Sequence, residues 1–192
     1  MLIAFNKPHG VICQFSPSGG TPTLKEFVDV PNVYPAGRLD TDSEGLMLLT
    51  DDGILQARIA DPARHIVKTY WAQVEGEPTD LELEPLRQGV NLADFTALPA
   101  KAALMAPPAD IWPRDPPVRF RLNIPTSWLE IGISEGKNRQ IRRMTAKIGY
   151  PTLRLVRVSI GTWNLAGIAP GKWRAVNVPA ELMRRINFGK KR

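Results

Sequence analysis

The stretch Gly37-Arg38-Leu39-Asp40-Thr41-Asp42-Ser43-Glu44-Gly45-Leu46-Met47-Leu48-Leu49-Thr50-Asp51-Asp52-Gly53 changes character at its middle. The first half is a polar loop that follows Pro35. Leu46–Leu49 is an apolar run read as a brief buried strand, and Asp51-Asp52-Gly53 supplies the turn that closes it. Ile54–Ala60 then reads as a helix that stops before Pro62. Asp40, Asp42 and Glu44 place three carboxylates within five residues. Such a group could bind a hard cation, although its spacing lacks the ligand count of a calcium loop. It could also supply the acid/base pair of a glycoside hydrolase, or merely decorate a solvated turn. Arg38, two residues before Asp40, weighs against the turn: a carboxylate beside a base stays ionised at neutral pH, which suits a nucleophile or a proton acceptor.

Upstream, Leu2–Phe5 is a short apolar run that ends in the turn Asn6-Lys7-Pro8-His9-Gly10. Val11–Phe15 reads as a second strand, and Thr23–Val28 as a short helix with Thr23 and Glu26 in capping-box spacing. Downstream, His65–Glu75 alternates, with Lys68, Tyr70, Ala72 and Val74 on one face. A tyrosine at such a position is either core or chemistry. Thr79-Asp80-Leu81-Glu82 opens a helix that ends near Gly89, and Leu98–Met105 is a further strand. Pro107–Pro117 holds five prolines in eleven residues and is expected to be a semi-rigid surface loop. Trp128–Ser134 reads as a strand, and Gly136 delivers a helix to about Ile148. Leu153–Ile160 is another strand, Ala180–Ile186 a last helix, and 188–192 a basic tail. Strands follow strands more often than they alternate with helices, so the fold class is α+β with a largely antiparallel sheet in one domain spanning 1–192.

The 192 residues suffice for a core without disulfides or metal, and 43% hydrophobic with 23% charged residues excludes wholesale disorder. Cys13 is the only cysteine; with two histidines, His9 and His65, it makes neither a disulfide nor a metal cluster. His9 and His65 are taken as structural or surface residues and Cys13 as a buried hydrophobe. The sequence has no signal peptide and no membrane-length apolar run, so a cytoplasmic protein is expected. Residues 1–96 carry 7 Lys/Arg against 14 Asp/Glu, and residues 97–192 carry 18 against 5. Between Gly136 and Ala180 there is no acid at all. An acid-free basic stretch is a footprint for a polyanion, because each neutralised phosphate releases counterions. Within it, Lys137, Arg139, Arg142 and Arg143 sit on the first turns of the expected helix, where the helix dipole disfavours cations. A phosphate or a buried carboxylate from elsewhere would explain them; so would a solvated basic face.

Taken in order, four of these segments resemble the pseudouridine synthases, specifically the RsuA branch acting on ribosomal RNA. They are Asn6-Lys7-Pro8 with Gly10; Gly37-Arg38-Leu39-Asp40 continuing to Gly53; Lys68-Thr69-Tyr70 with Gly76; and Glu135-Gly136-Lys137-Asn138-Arg139-Gln140-Ile141-Arg142-Arg143-Met144. The segment from Leu165 to Gly171-Lys172-Trp173-Arg174 fits as well. The resemblance implies a mixed, mostly antiparallel sheet in two abutting lobes with a catalytic cleft across it. It implies isomerisation of uridine to pseudouridine in ribosomal RNA, with 23S RNA of the large subunit expected, and no cofactor or metal. The S4-type RNA-binding domain common in this branch is not expected here, and a monomer is.

By position, Asp40 is the essential carboxylate, attacking C1′ or removing a sugar proton. Tyr70 matches the tyrosine under the base; a phenol titrating near 10 is a poor base at neutral pH, which favours stacking. Lys137 matches the cation that pairs with the aspartate, with Arg142 a second candidate. Arg38 matches the arginine that fills the vacated stack. Arg139 (often His in relatives), Arg143, Lys147, Arg154 and Arg157 are assigned to the RNA backbone. Leu46 and Leu48 either wall the uracil pocket or pack the core. The alternative is a non-catalytic ribosome-associated RNA-binding protein with the same fold.

Overall fold

The computed structural model describes residues 1–119 and 121–183. Its nine strands form one mixed sheet. They are β1 (Leu2–Lys7), β2 (Tyr34–Pro35), β3 (Glu44–Thr50), β4 (Lys68–Glu75), β5 (Lys101–Met105), β6 (Thr126–Ile133), β7 (Thr152–Ile160), β8 (Trp163–Asn164) and β9 (Trp173–Ala175). The main order is β5-β6-β4-β7-β3-β1-β9, with β2 beside β3 and β8 beside β7. All pairings are antiparallel except β3 with β7. The helices are α1 (Gly53–Ala60), α2 (Glu84–Gln88), α3 (Gln140–Lys147) and α4 (Ala180–Met183). None among the described residues is long and apolar enough to cross a membrane.

β1 and β3 are buried along their whole length, with Ile3, Phe5, Met47 and Leu49 in one core cluster and Leu2, Ala4, Leu46 and Leu48 in another. Their two faces are both covered, which is why they read as unbroken apolar runs. β4 alternates as the sequence predicts, burying Tyr70, Ala72 and Val74. Asp52 caps α1 by accepting from the Ile54 and Leu55 amides, and Leu55 and Ile59 seat that helix on the second cluster.

Several expected elements change. Val11–Phe15 is no strand beyond the single bridge Ile12↔Thr23, because the Gln14 amide turns back onto the Ile12 carbonyl. The helix expected over Thr23–Val28 is one 3-10 turn, Leu24–Glu26, though Glu26 does bond back to the Thr23 amide. The helix after Gly136 starts only at Gln140, since Arg139 adopts a left-handed φ of 48°. Strand β5 begins after Pro99. The last helix is described to Met183; its remainder and the tail 188–192 lie outside the described residues.

The unusual element is the second edge of β3. Its start pairs with β7 over only Glu44↔Val156 and Gly45↔Arg157, and its end pairs with β2 through Leu49 and Thr50. Between them, the Leu46 carbonyl accepts from the Arg157 side chain at 2.8 Å, and the Leu48 carbonyl from the Ala36 amide at 2.8 Å. The 36–43 loop therefore lies against a gap in the sheet. Gly45 makes the close approach possible: its φ is 104°, and a Cβ there would collide with the Arg157 backbone. Gly45→Ala is expected to cost at least about 2 kcal/mol in urea unfolding, from strain and collision together. Gly53→Ala, with open space around it, should stay within about 0.5 kcal/mol of wild type.

Candidate active site

The 36–43 loop, the 136–139 turn and the faces of β4 and β7 enclose a cavity of about 780 Å³. That is room for a nucleoside-sized ligand. Asp40 and Tyr70 both line it, Asp40 partly exposed and Tyr70 only 7% exposed. Ile59, Ile133, Leu155 and Ile160 give it an apolar wall.

The cation nearest Asp40 is Arg139, whose Nη1 stands 3.8 Å from Oδ2. Arg139 also donates both Nη groups to Asp42, at 3.0 and 2.9 Å. Burial alone would raise the Asp42 carboxyl, but hydrogen bonds from Arg139 and the charges of Arg142 and Arg139 outweigh it and hold the group below its ordinary value. Lys137 lines the cavity but its ammonium lies 3.9 Å from Glu135 and 3.8 Å from the centroid of the Phe95 ring. The expectation that Lys137 pairs with Asp40 is thus corrected: the left-handed turn at Arg139 swings that residue to the loop and leaves Lys137 facing Phe95. Arg142 works from below, donating through Nη2 to the Asp42 carbonyl at 2.8 Å and through Nη1 to the Thr152 carbonyl at 3.3 Å. It fixes the loop backbone and does not reach Asp40.

Of the residues assigned to an RNA backbone, Arg154 and Arg157 do not fit that role, because each is only 5% exposed. Arg154 forms a two-pronged pair with the buried Glu44, both contacts 2.8 Å, and Trp112 closes it by donating to Glu44 at 2.7 Å. The Pro107–Pro117 segment is accordingly a strap over the β3–β7 junction and not simply a surface loop. Arg143 is paired with Asp94 at the surface. Lys147 is exposed, as is Arg38, which sits on the cavity rim. Leu46 is fully buried in the second core cluster and does not line the cavity, so of its two readings the core one holds.

Two anchors were missed in the sequence. Cys13 donates its thiol to the Leu39 carbonyl at 3.0 Å, pinning the residue before Asp40. Lys7, fully buried, donates to the carbonyls of Pro8 and Val11 at 2.8 Å and of Thr41 at 3.3 Å. A lysine two residues past the apolar run Leu2–Phe5 and directly before Pro8 was the available signal. Burial pulls the Lys7 ammonium down to about 8 against the attraction of Cys13, Glu44, Asp42 and Asp40.

These arrangements meet a consistent set of relatives. The family profile described as RNA pseudouridylate synthase matches residues 1–147. The ribosomal large subunit pseudouridine synthase E of Vibrio vulnificus is 55% identical over 179 residues, 93% of this chain and 76% of the relative. The protein of the same name from Xanthomonas campestris is 55% identical over 176 residues, 91% of this chain and 94% of its own. A crystal structure of a pseudouridylate synthase superposes with a TM-score of 0.75 at 28% identity, covering 95% of this chain and 72% of that one.

Arg154→Met is expected to lose on the order of 3–5 kcal/mol in equilibrium unfolding, since it strands a buried carboxylate. Lys7 gives a pH signature. Between about 8 and its ordinary 10.5 the unfolded chain binds the extra proton. The burial cost is thus fully present below about 8 and fades as pH rises. The stability difference between wild type and Lys7→Met should move in favour of wild type across that window, by up to ~3 kcal/mol. A difference independent of pH would show that Lys7 is not desolvated.

Proposed function

This chain belongs to the RNA pseudouridine synthase family, an isomerase family, and on that premise we propose that it converts a uridine of large-subunit ribosomal RNA, 23S RNA, to pseudouridine. The supporting observation is the joint placement of Asp40, Arg139 and Tyr70 on one nucleoside-sized cavity with an apolar wall. The N1–C1′ bond breaks, the freed uracil turns, and C5 bonds to C1′; the C5 proton is lost and N1 ends protonated, so nothing is oxidised or reduced. The naming of the Vibrio and Xanthomonas relatives supports the large-subunit substrate.

Asp40 is the catalytic carboxylate. Whether it attacks C1′ or takes a sugar proton, it must be ionised. In open solvent its contact with Arg139 is worth no more than about 1 kcal/mol. Covered by RNA, the same pair sits in a lower dielectric and its attraction grows, so the charge persists when water leaves. Tyr70 offers its ring to the base, and its burial fixes the ring plane. Arg38, exposed on the rim, is free to enter the stack that the everted uridine vacates, offsetting part of the few kcal/mol that eversion costs. Lys147 and the flanking surface cations contact phosphates.

Tritium release from C5-labelled uridine in 23S RNA reads the reaction directly. Asp40→Ala should abolish release while RNA affinity stays within severalfold of wild type; residual turnover near the wild-type rate would refute its role. Arg139→Met should cut turnover by a factor of about 10² or more, and more strongly than Lys137→Met. The reverse ranking would return the pairing role to Lys137.

A further inference from the structure

Besides Arg38 on the rim and Lys137 against Phe95, two further cations of the cavity take no part in holding Asp40. Lys68 opens β4 on the same face as Tyr70, one pleat repeat or about 7 Å along the strand. Arg157 stands directly across from Tyr70 in the antiparallel register. Both line the cavity. Arg157 is committed to the Leu46 carbonyl, leans toward the Arg38 carbonyl at 3.4 Å, and keeps Nη2 buried with no partner among the described residues. Lys68 is half-buried, and no carboxylate among the described residues acts on it; burial first, then the neighbouring Arg157, pull its pKa below the ordinary value.

Two like charges along one partly desolvated wall repel each other, and an anion relieves that repulsion. The protein's own nearby carboxylates are already engaged, Asp40 and Asp42 by Arg139, Asp42 also by Arg142, and Glu44 by Arg154. A uracil carbonyl would accept a hydrogen bond from Lys68 but leave the excess charge. A nucleotide carries one formally charged group, its phosphate, and a base stacked at Tyr70 places its own phosphate at a span comparable to the Tyr70–Lys68 separation. We propose that Lys68, in the field of the buried Arg157, forms a subsite for a phosphate flanking the everted uridine. The nucleotide is then gripped at two ends, its sugar at Asp40 and its phosphodiester at Lys68. The inference rests on the pseudouridine synthase reading above.

The test uses the full chain and 23S RNA from cells lacking it, across a range of salt. Lys68→Met should raise KM about tenfold or more, with a smaller fall in kcat, and should lower the slope of log affinity against log salt by about one. Lys68→Arg should restore the slope. An unchanged slope in Lys68→Met, or a loss confined to kcat, overturns the phosphate subsite and makes Lys68 a contact to the base. A measurement on the wild type alone guards against a variant that does not fold. Uridine 5′- or 3′-monophosphate should inhibit turnover better than uridine does, and more so at low salt; equal inhibition by all three overturns the proposal. A wild-type protein that releases no tritium from 23S RNA would instead refute the activity itself.

Discussion

Strand β3 parts from β7 after two residue pairs, and the backbone carbonyls it then presents must find donors that are not a neighbouring strand. Arg157 reaches Leu46 with its side chain and Ala36 reaches Leu48 with its amide. These substitutions let a sheet remain continuous while opening a gap on one edge. The gap is where the 36–43 loop lies and where the cavity forms. Without Gly45 the two strands could not approach closely enough for the junction to exist, and without Arg157 the parting edge would leave a buried acceptor unpaired.

The opposite charges of the two halves of the chain find one explanation here. Asp40, Asp42 and Glu44 come from the acid-rich half, and Arg139, Arg142 and Arg154 from the acid-free stretch. Three arginines of the basic half therefore neutralise the protein's own loop. Exposed Lys147, Lys172 and Arg174 of the basic half, and Arg38 on the cavity rim, make no ion pair among the described residues, and no carboxylate among those residues acts on Lys68 inside the cavity. Left alone, three carboxylates this close would repel one another and any polyanion; the arginines against them offset that repulsion while leaving Asp40 on the cavity.

The strands were legible because their burial writes itself into composition. β1 and β3 are covered on both faces and read as apolar runs, while β4 is covered on one and alternates. Asp40, Tyr70 and the basic segment after Gly136 were visible as a constellation, and the family resemblance ordered them. The identity of the cation at Asp40 was not legible. It depends on whether residue 139 is helical or left-handed, and a non-glycine residue at φ 48° is not signalled by its type. The same holds for Arg154 and Arg157: an arginine in a basic run looks solvent-facing until a distant carboxylate or carbonyl is folded against it. Strands β2, β8 and β9, two or three residues each, exist only as partners of longer strands and leave no pattern of their own.

The Pro-rich segment joins this account through Trp112. Its indole donates to Glu44 and its ring lies 5.6 Å from the Arg154 guanidinium, so it covers the ion pair that ties β3 to β7 immediately after the loop bearing Asp40. A flexible loop would spend much of that contact on ordering entropy; five prolines reduce the freedom to be lost. Arg114 adds a second hold by donating to the Leu153 carbonyl of β7 at 3.3 Å and to the carbonyls of Pro116 and Pro117 within its own segment at 2.8 Å. The segment thus excludes water from a buried charge pair, which strengthens that pair, and the pair in turn fixes the strand from which the loop bearing Asp40 departs. Stiffness in a region with no regular secondary structure is, in this fold, part of what keeps Asp40 in place.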